Sequence, residues 1–102
     1  MEQRRTRRFK LHLPLAITRS GAERVAMSGQ TTNISSTGVL FTAGRGPELG
    51  GPIEYIITLH AEVNLRCIGK VLRSEPVRSE HEAVPAYQIA ATLERYEFVR
   101  ER

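Results

Sequence analysis

Two clusters of side chains in this 102-residue chain have the types and spacing to hold a ligand. The first is Arg4-Arg5-Thr6-Arg7-Arg8, four guanidiniums in five residues. Such groups repel one another and cannot be buried together, but their planar forks match the paired oxygens of phosphates and carboxylates. The second is Asn33-Ile34-Ser35-Ser36-Thr37-Gly38. Its Asn and Ser near a Gly predict a side-chain-capped turn, with Gly38 free to take a positive φ. Such a turn offers an amide, a hydroxyl and open backbone N–H groups. A carboxamide supplies both a donor and an acceptor, so it can read the edge of a purine. Asn33-Ile34-Ser35 also spells a glycosylation sequon, which has no meaning without a secretory signal.

Catalysis finds little support. The chain has no aspartate, and all 11 acids are glutamates. His12, His60 and His81 are far apart, and no ligand pair has the close spacing a metal needs. Ser35 and Ser36 lack a nucleophile-elbow motif and a base partner. The single cysteine, Cys67, excludes an intramolecular disulfide and suits a reducing compartment; it reads as a small core residue. The expectation is a binding protein with no enzymatic activity, no metal and no cofactor.

The charge is unevenly placed. Residues 1–10 hold five of the 15 basic groups (Arg4, Arg5, Arg7, Arg8 and Lys10) and one acid, Glu2. The rest of the chain is balanced, so the whole formal charge of +4 sits in a cationic arm on a neutral body. An anionic partner for that arm is the natural implication; a solvated basic tail is the plain alternative. No apolar run approaches the roughly 20 residues that span a bilayer. The basic N-terminus is followed by no signal-type apolar segment, which points to the cytoplasm.

The elements that must carry these clusters are strands. Phe9, Leu11, Leu13, Leu15 and Ile17 alternate with polar or small residues, the signature of a strand with one face in a core. Pro14 cannot donate to a ladder, so this strand is expected at an edge or with a bulge there. A turn at Arg19–Ala22 leads to a polar strand around Arg24 to Thr32. After the Asn33–Gly38 turn comes a short buried strand, Val39 to Thr42. Ala43 to Pro52 holds four glycines and two prolines and reads as a loop. Ile53 to Leu59 and Val63 to Val71 alternate again and make a hairpin. A polar loop, Ser74 to Pro85, precedes a closing strand, Tyr87 to Leu93. Leu93, Tyr96 and Val99, three apart, predict a short C-terminal amphipathic helix over 94–102. The reading is one domain over residues 1–102: a flexible arm at 1–8, a six-stranded antiparallel barrel at 9–93, and the helical tail. Closure of the barrel would protect the sheet edges.

In this order the two clusters resemble the signature of the PilZ domain family. Arg4-Arg5-x-x-Arg8 is similar to the family's RRxxR arm, and Asn33-x-Ser35-x-x-Gly38 to its (D/N)xSxxG turn. Gly69-Lys70-Val71-Leu72-Arg73 resembles the family's glycine-containing strand, and Tyr87 to Leu93 its closing strand. The resemblance covers nearly the whole chain.

That resemblance implies a bacterial receptor for cyclic di-GMP, with the ligand held by Arg4, Arg5, Arg8, Asn33, Ser35 and Gly38. Arg7 falls at a free position of the motif. The arm would be disordered up to about Phe9 until ligand phosphates neutralise it. The closed arm would then create a surface for a protein partner, in motility, secretion or polysaccharide synthesis. With nothing outside the barrel, the chain would be an adaptor, either free-standing or excised from a larger protein. Two rival readings remain. One is a small barrel binding nucleic acid through its basic arm, which a neutral body with six aromatics argues against. The other is a PilZ-like protein-interaction module that binds no ligand.

Overall fold

Among the described residues, alternation along the chain becomes seven strands: β1 (Pro14–Ser20), β2 (Glu23–Ile34), β3 (Gly38–Ala43), β4 (Pro52–His60), β5 (Val63–Val77), β6 (Ala86–Thr92) and β7 (Arg95–Arg100). The computed structural model describes residues 7–60, 62–77 and 86–100. All pairings are antiparallel, in the order β4-β1-β2-β3-β6-β5, and a β4–β5 ladder closes the ring into a six-stranded barrel. β7 lies outside the ring, on β5.

Period-two patterning explains the closure. Ile53, Tyr55 and Ile57 of β4, with Leu15 and Ile17 of β1, point inward and are buried, as are Phe41, Val71 and Ile89 from the other wall. Tyr55 and Phe41 meet with ring centroids 5.8 Å apart. The Tyr55 hydroxyl donates to the Thr92 carbonyl at 3.1 Å, which supplies the partner a buried phenol needs. The loop at 44–51 and the β6 strand stand close to where their residues predicted them, but the hairpin's second strand does not end at Val71: β5 runs to Val77, and Ser74–Val77, expected to open a polar loop, pair with β6.

Cys67 is fully buried in this core. Burial pushes its thiol up to about 12 from an ordinary 9.0. The neutral folded form is thus favoured fully below pH 9, and that contribution is lost as pH rises from 9 towards 12. Burial also raises the Tyr55 phenol, with Cys67 and Glu94 adding to the effect, so both groups weaken the fold in alkali. A thiol reagent at neutral pH should therefore leave Cys67 unmodified in the native protein and label it fully in denaturant. Rapid native labelling would show that this part of the barrel opens readily.

Three further expectations are corrected. The first strand begins at Pro14 rather than Phe9, and β1 is no edge, because it pairs with β2 on one side and β4 on the other. Pro14 is tolerated as the strand's first residue, and the irregularity falls between Ile17 and Arg19. Phe9 and Leu11, in phase with the core by sequence, are exposed. They belong to a lead-in segment that the Thr31 hydroxyl secures by donating to the Leu11 carbonyl and accepting the Leu13 N–H at 2.8 Å. Finally, no C-terminal helix forms over the described part of 94–102. Arg95–Arg100 is a strand whose residues pair from Val63↔Arg100 to Ile68↔Arg95. The segment also alternates by two, and it is rich in Tyr, Phe and Val, which favour extended chain. A helix under ten residues long would be marginal, whereas the open edge of β5 offers partners to the backbone groups along one side of the segment.

Candidate ligand-binding site

The site is built where the lead-in segment meets the end of β2. Phe9 and Ile34 form an isolated antiparallel bridge, Phe9 N–H to the Ile34 carbonyl at 2.8 Å and Ile34 N–H to the Phe9 carbonyl at 2.9 Å. The root of the arm is therefore fixed, and Arg8, the residue before the bridge, stands beside the residue after it, Ser35. This pairing joins the two clusters that lie 24 residues apart in sequence.

Ser35 is the organiser of the turn. It is 7% exposed. Its Oγ accepts the backbone N–H groups of Thr37 at 3.3 Å and Gly38 at 3.2 Å and lies 3.2 Å from the Gly38 carbonyl, to which it can donate. The Ser35 N–H also donates to that carbonyl at 2.9 Å. The N–H groups of Thr37 and Gly38, expected to be open, are therefore already occupied. The expectation of a left-handed Gly38 also fails, since among the described residues only Gly21 and Gly50 have positive φ. Gly38 is small for another reason: a Cβ there would sit 3.1 Å from the Ala91 carbonyl oxygen on β6.

Arg8, Ser35, Thr37 and Gly38 line one side of an open hollow of about 300 Å³, and Leu72, Arg73 and Ala90 line the other. Among the described residues, two guanidiniums and no carboxylate border it, so its potential suits an anion. Exposed Leu72 adds an apolar surface against which a flat ring can rest. Asn33 is not among the lining residues. It sits upstream on β2, where its Oδ1 is buried without a hydrogen-bond partner among the described residues. Arg4 and Arg5, and any mobility of residues 1–6, lie outside the described residues, as does His81. Arg73 and Leu72 were not picked out as site residues by the sequence. Their signal is topological: β5 reaches the turn only through the order β3-β6-β5, which aligns Val71 with Ala91 and Ala91 with Val39.

Larger hollows lie elsewhere, one of about 480 Å³ beside Arg19, Glu54 and Val99 and one of about 690 Å³ at the Gly21 turn. Neither touches a residue of either cluster. In the first, Arg19 is already ion-paired with Glu54 at 3.4 Å.

A closed six-stranded barrel carrying an arginine-lined hollow at a serine-capped turn defines a small binding module. The PilZ domain model matches residues 2–96, nearly the whole chain, and the protein belongs to the PilZ family. PilZ domains are binding modules rather than enzymes, and the family is one of cyclic di-GMP receptors. Searches of curated proteins and of solved structures returned no match. Among the described residues no helix is long and apolar enough to cross a membrane.

Proposed function

We propose that this protein is a bacterial, cytoplasmic cyclic di-GMP receptor that holds the dinucleotide between its arginine arm and the Asn33–Gly38 turn. The observation that carries the reading is the Phe9–Ile34 bridge, which brings Arg8 onto the same hollow as Ser35 and Gly38. Arg8 and Arg73 flank the ligand phosphates or a guanine O6/N7 edge. Arg4 and Arg5 extend the cationic set along the arm. Asn33, with its unsatisfied acceptor, suits a guanine N–H once a ligand fills the end of β2. The ligand-bound arm and turn form the surface that a protein partner reads, so the chain acts as an adaptor.

Calorimetry with cyclic di-GMP, GMP and a short oligonucleotide tests this directly. Cyclic di-GMP should bind at about −8 kcal/mol, which corresponds to low-micromolar affinity. Binding should weaken as salt rises, because exposed charges supply much of the attraction. Equal binding of the oligonucleotide would favour the nucleic-acid reading. No heat with any of the three would favour the ligand-free interaction module.

A further inference from the structure

β7 is a strand with one side unused. Its inner edge pairs with Val63–Ile68 of β5, and among the described residues its outer edge has no partner. Tyr96 lies opposite Cys67 and Phe98 opposite Leu65, so both aromatics share the inward face of β5. They have run past the barrel, however, and stay 59% and 67% exposed. Their rings meet edge to face, with centroids 6.2 Å apart and an interplanar angle of 81°. The other face carries Glu97, paired with Arg66 at 3.2 Å, and Val99. An unpaired edge bearing two exposed aromatics is a template for another strand.

The order of residues along β7 identifies that strand. From Glu94 to Arg102 the sequence reads Glu-Arg-Tyr-Glu-Phe-Val-Arg-Glu-Arg, so reversing it about Phe98 matches Glu94 with Arg102 and Arg95 with Glu101, opposite charges in both cases. We infer that β7 pairs antiparallel with β7 of a second copy about a two-fold axis at Phe98, joining two barrels through one continuous sheet. Registers that keep the aromatics of both copies on one face must match residues of like parity. A centre at Glu97 sets Glu97 against Glu97 of the second copy, and directly opposed like charges are unfavourable. A centre at Phe98 opposes no like charges. It places Phe98 on Phe98 of the second copy, each Tyr96 beneath Arg100 of the second copy, and each Glu97 opposite Val99 of the second copy. An arginine over a tyrosine ring adds a cation–π contact.

Two measurements on the 102-residue chain without ligand test the pairing. Sedimentation equilibrium should show a monomer–dimer equilibrium with Kd on the order of 100 µM, the range of small interfaces. Phe98→Lys should weaken it at least about tenfold while the circular dichroism spectrum is kept. Register is read by cross-linking under mild oxidation. A mixture of Glu97→Cys and Val99→Cys proteins should form a disulfide-linked heterodimer, because those positions face each other across the axis. Each variant alone should not, since equivalent positions then lie on a diagonal roughly 7–8 Å apart. A monomer throughout the concentration range would overturn the inference. So would a dimer in which the mixture fails to cross-link, or in which Glu97→Cys cross-links to itself.

Discussion

Arg8→Ala should weaken cyclic di-GMP binding by roughly 1.5–3 kcal/mol, about ten- to a hundredfold in Kd, with no change in thermal stability. The affinity loss follows from the site's composition. The hollow of about 300 Å³ has only two cations on its described walls, Arg8 and Arg73, and a dianionic ligand loses a charge-assisted partner with either one. The unchanged stability follows from Arg8 being exposed and outside the ladders, while the bridge at Phe9 uses only main-chain groups. Ser35→Ala should behave differently. Its hydroxyl accepts two backbone N–H groups inside the turn, so its removal orphans both donors. That loss should cost roughly 1–2 kcal/mol of stability as well as affinity, because the wall of the hollow is the turn itself. Arg19→Ala is the control, since its guanidinium is engaged by Glu54 and lies away from the hollow. Calorimetry and thermal melts on the three variants separate these effects. Equal affinity losses for Arg8→Ala and Arg19→Ala would mean that bulk charge, and not this site, attracts the ligand.

The sequence was most readable where a residue's role depends on the pattern around it. The alternation of Ile53, Tyr55 and Ile57 needed only the fact that one face of a strand meets a core, and those residues are fully buried. Arg8, Ser35 and Gly38 are positions that the resemblance to the family motifs implies, and the barrel brings them to one hollow. Roles set by distant partners were not readable. Phe9 and Leu11 alternate like core residues, yet Thr31 and Ile34 hold that segment by its backbone and leave the side chains outside. The residues of β7 fit a helix by threes and a strand by twos, and what decides is the free half of β5, some 30 residues away in sequence. Arg73 joins the hollow because the chain crosses over between β3 and β5, and no local pattern encodes that. At Gly38 the sequence suggests an unusual φ, whereas the structure requires space beside Ala91.

The same need for space predicts a large stability effect at Gly69. Gly69→Ala should destabilise the fold by roughly 3–5 kcal/mol, a large share of what a domain of this size has to lose. Gly69 sits where β5 changes partners, after the residues that pair with β7 and before those that pair with β6. A Cβ there would fall on the main-chain carbonyl oxygen of Thr92, 2.7 Å from its carbonyl carbon and 2.9 Å from its Oγ1. Thr92 has no freedom to retreat. Its carbonyl accepts the Tyr55 hydroxyl, its Oγ1 accepts the Lys70 N–H at 2.8 Å, and the same Oγ1 donates to Glu94 at 3.0 Å. Alanine is ordinarily favoured over glycine in a strand by about 0.5–1 kcal/mol, so a net loss measures the clash against that gain. Gly44→Ala is the matching control: it has open space and no positive φ, and should be neutral or slightly stabilising. Thermal melts decide the matter. At about 4–8 °C per kcal/mol for a domain near this size, Gly69→Ala should melt tens of degrees below the wild type, and a shift of only a degree or two would disprove the clash. The effect reaches the site as well. The end of β6 is pinched between two glycines, Gly69 of β5 beside Thr92 and Gly38 of β3 beside Ala91, and Ala90 and Ala91 line the hollow. Pushing β6 away from Gly69 moves that wall, so any folded fraction of Gly69→Ala should also bind cyclic di-GMP more weakly. The two glycines thus set the spacing of the strands on which the arginine-lined hollow depends.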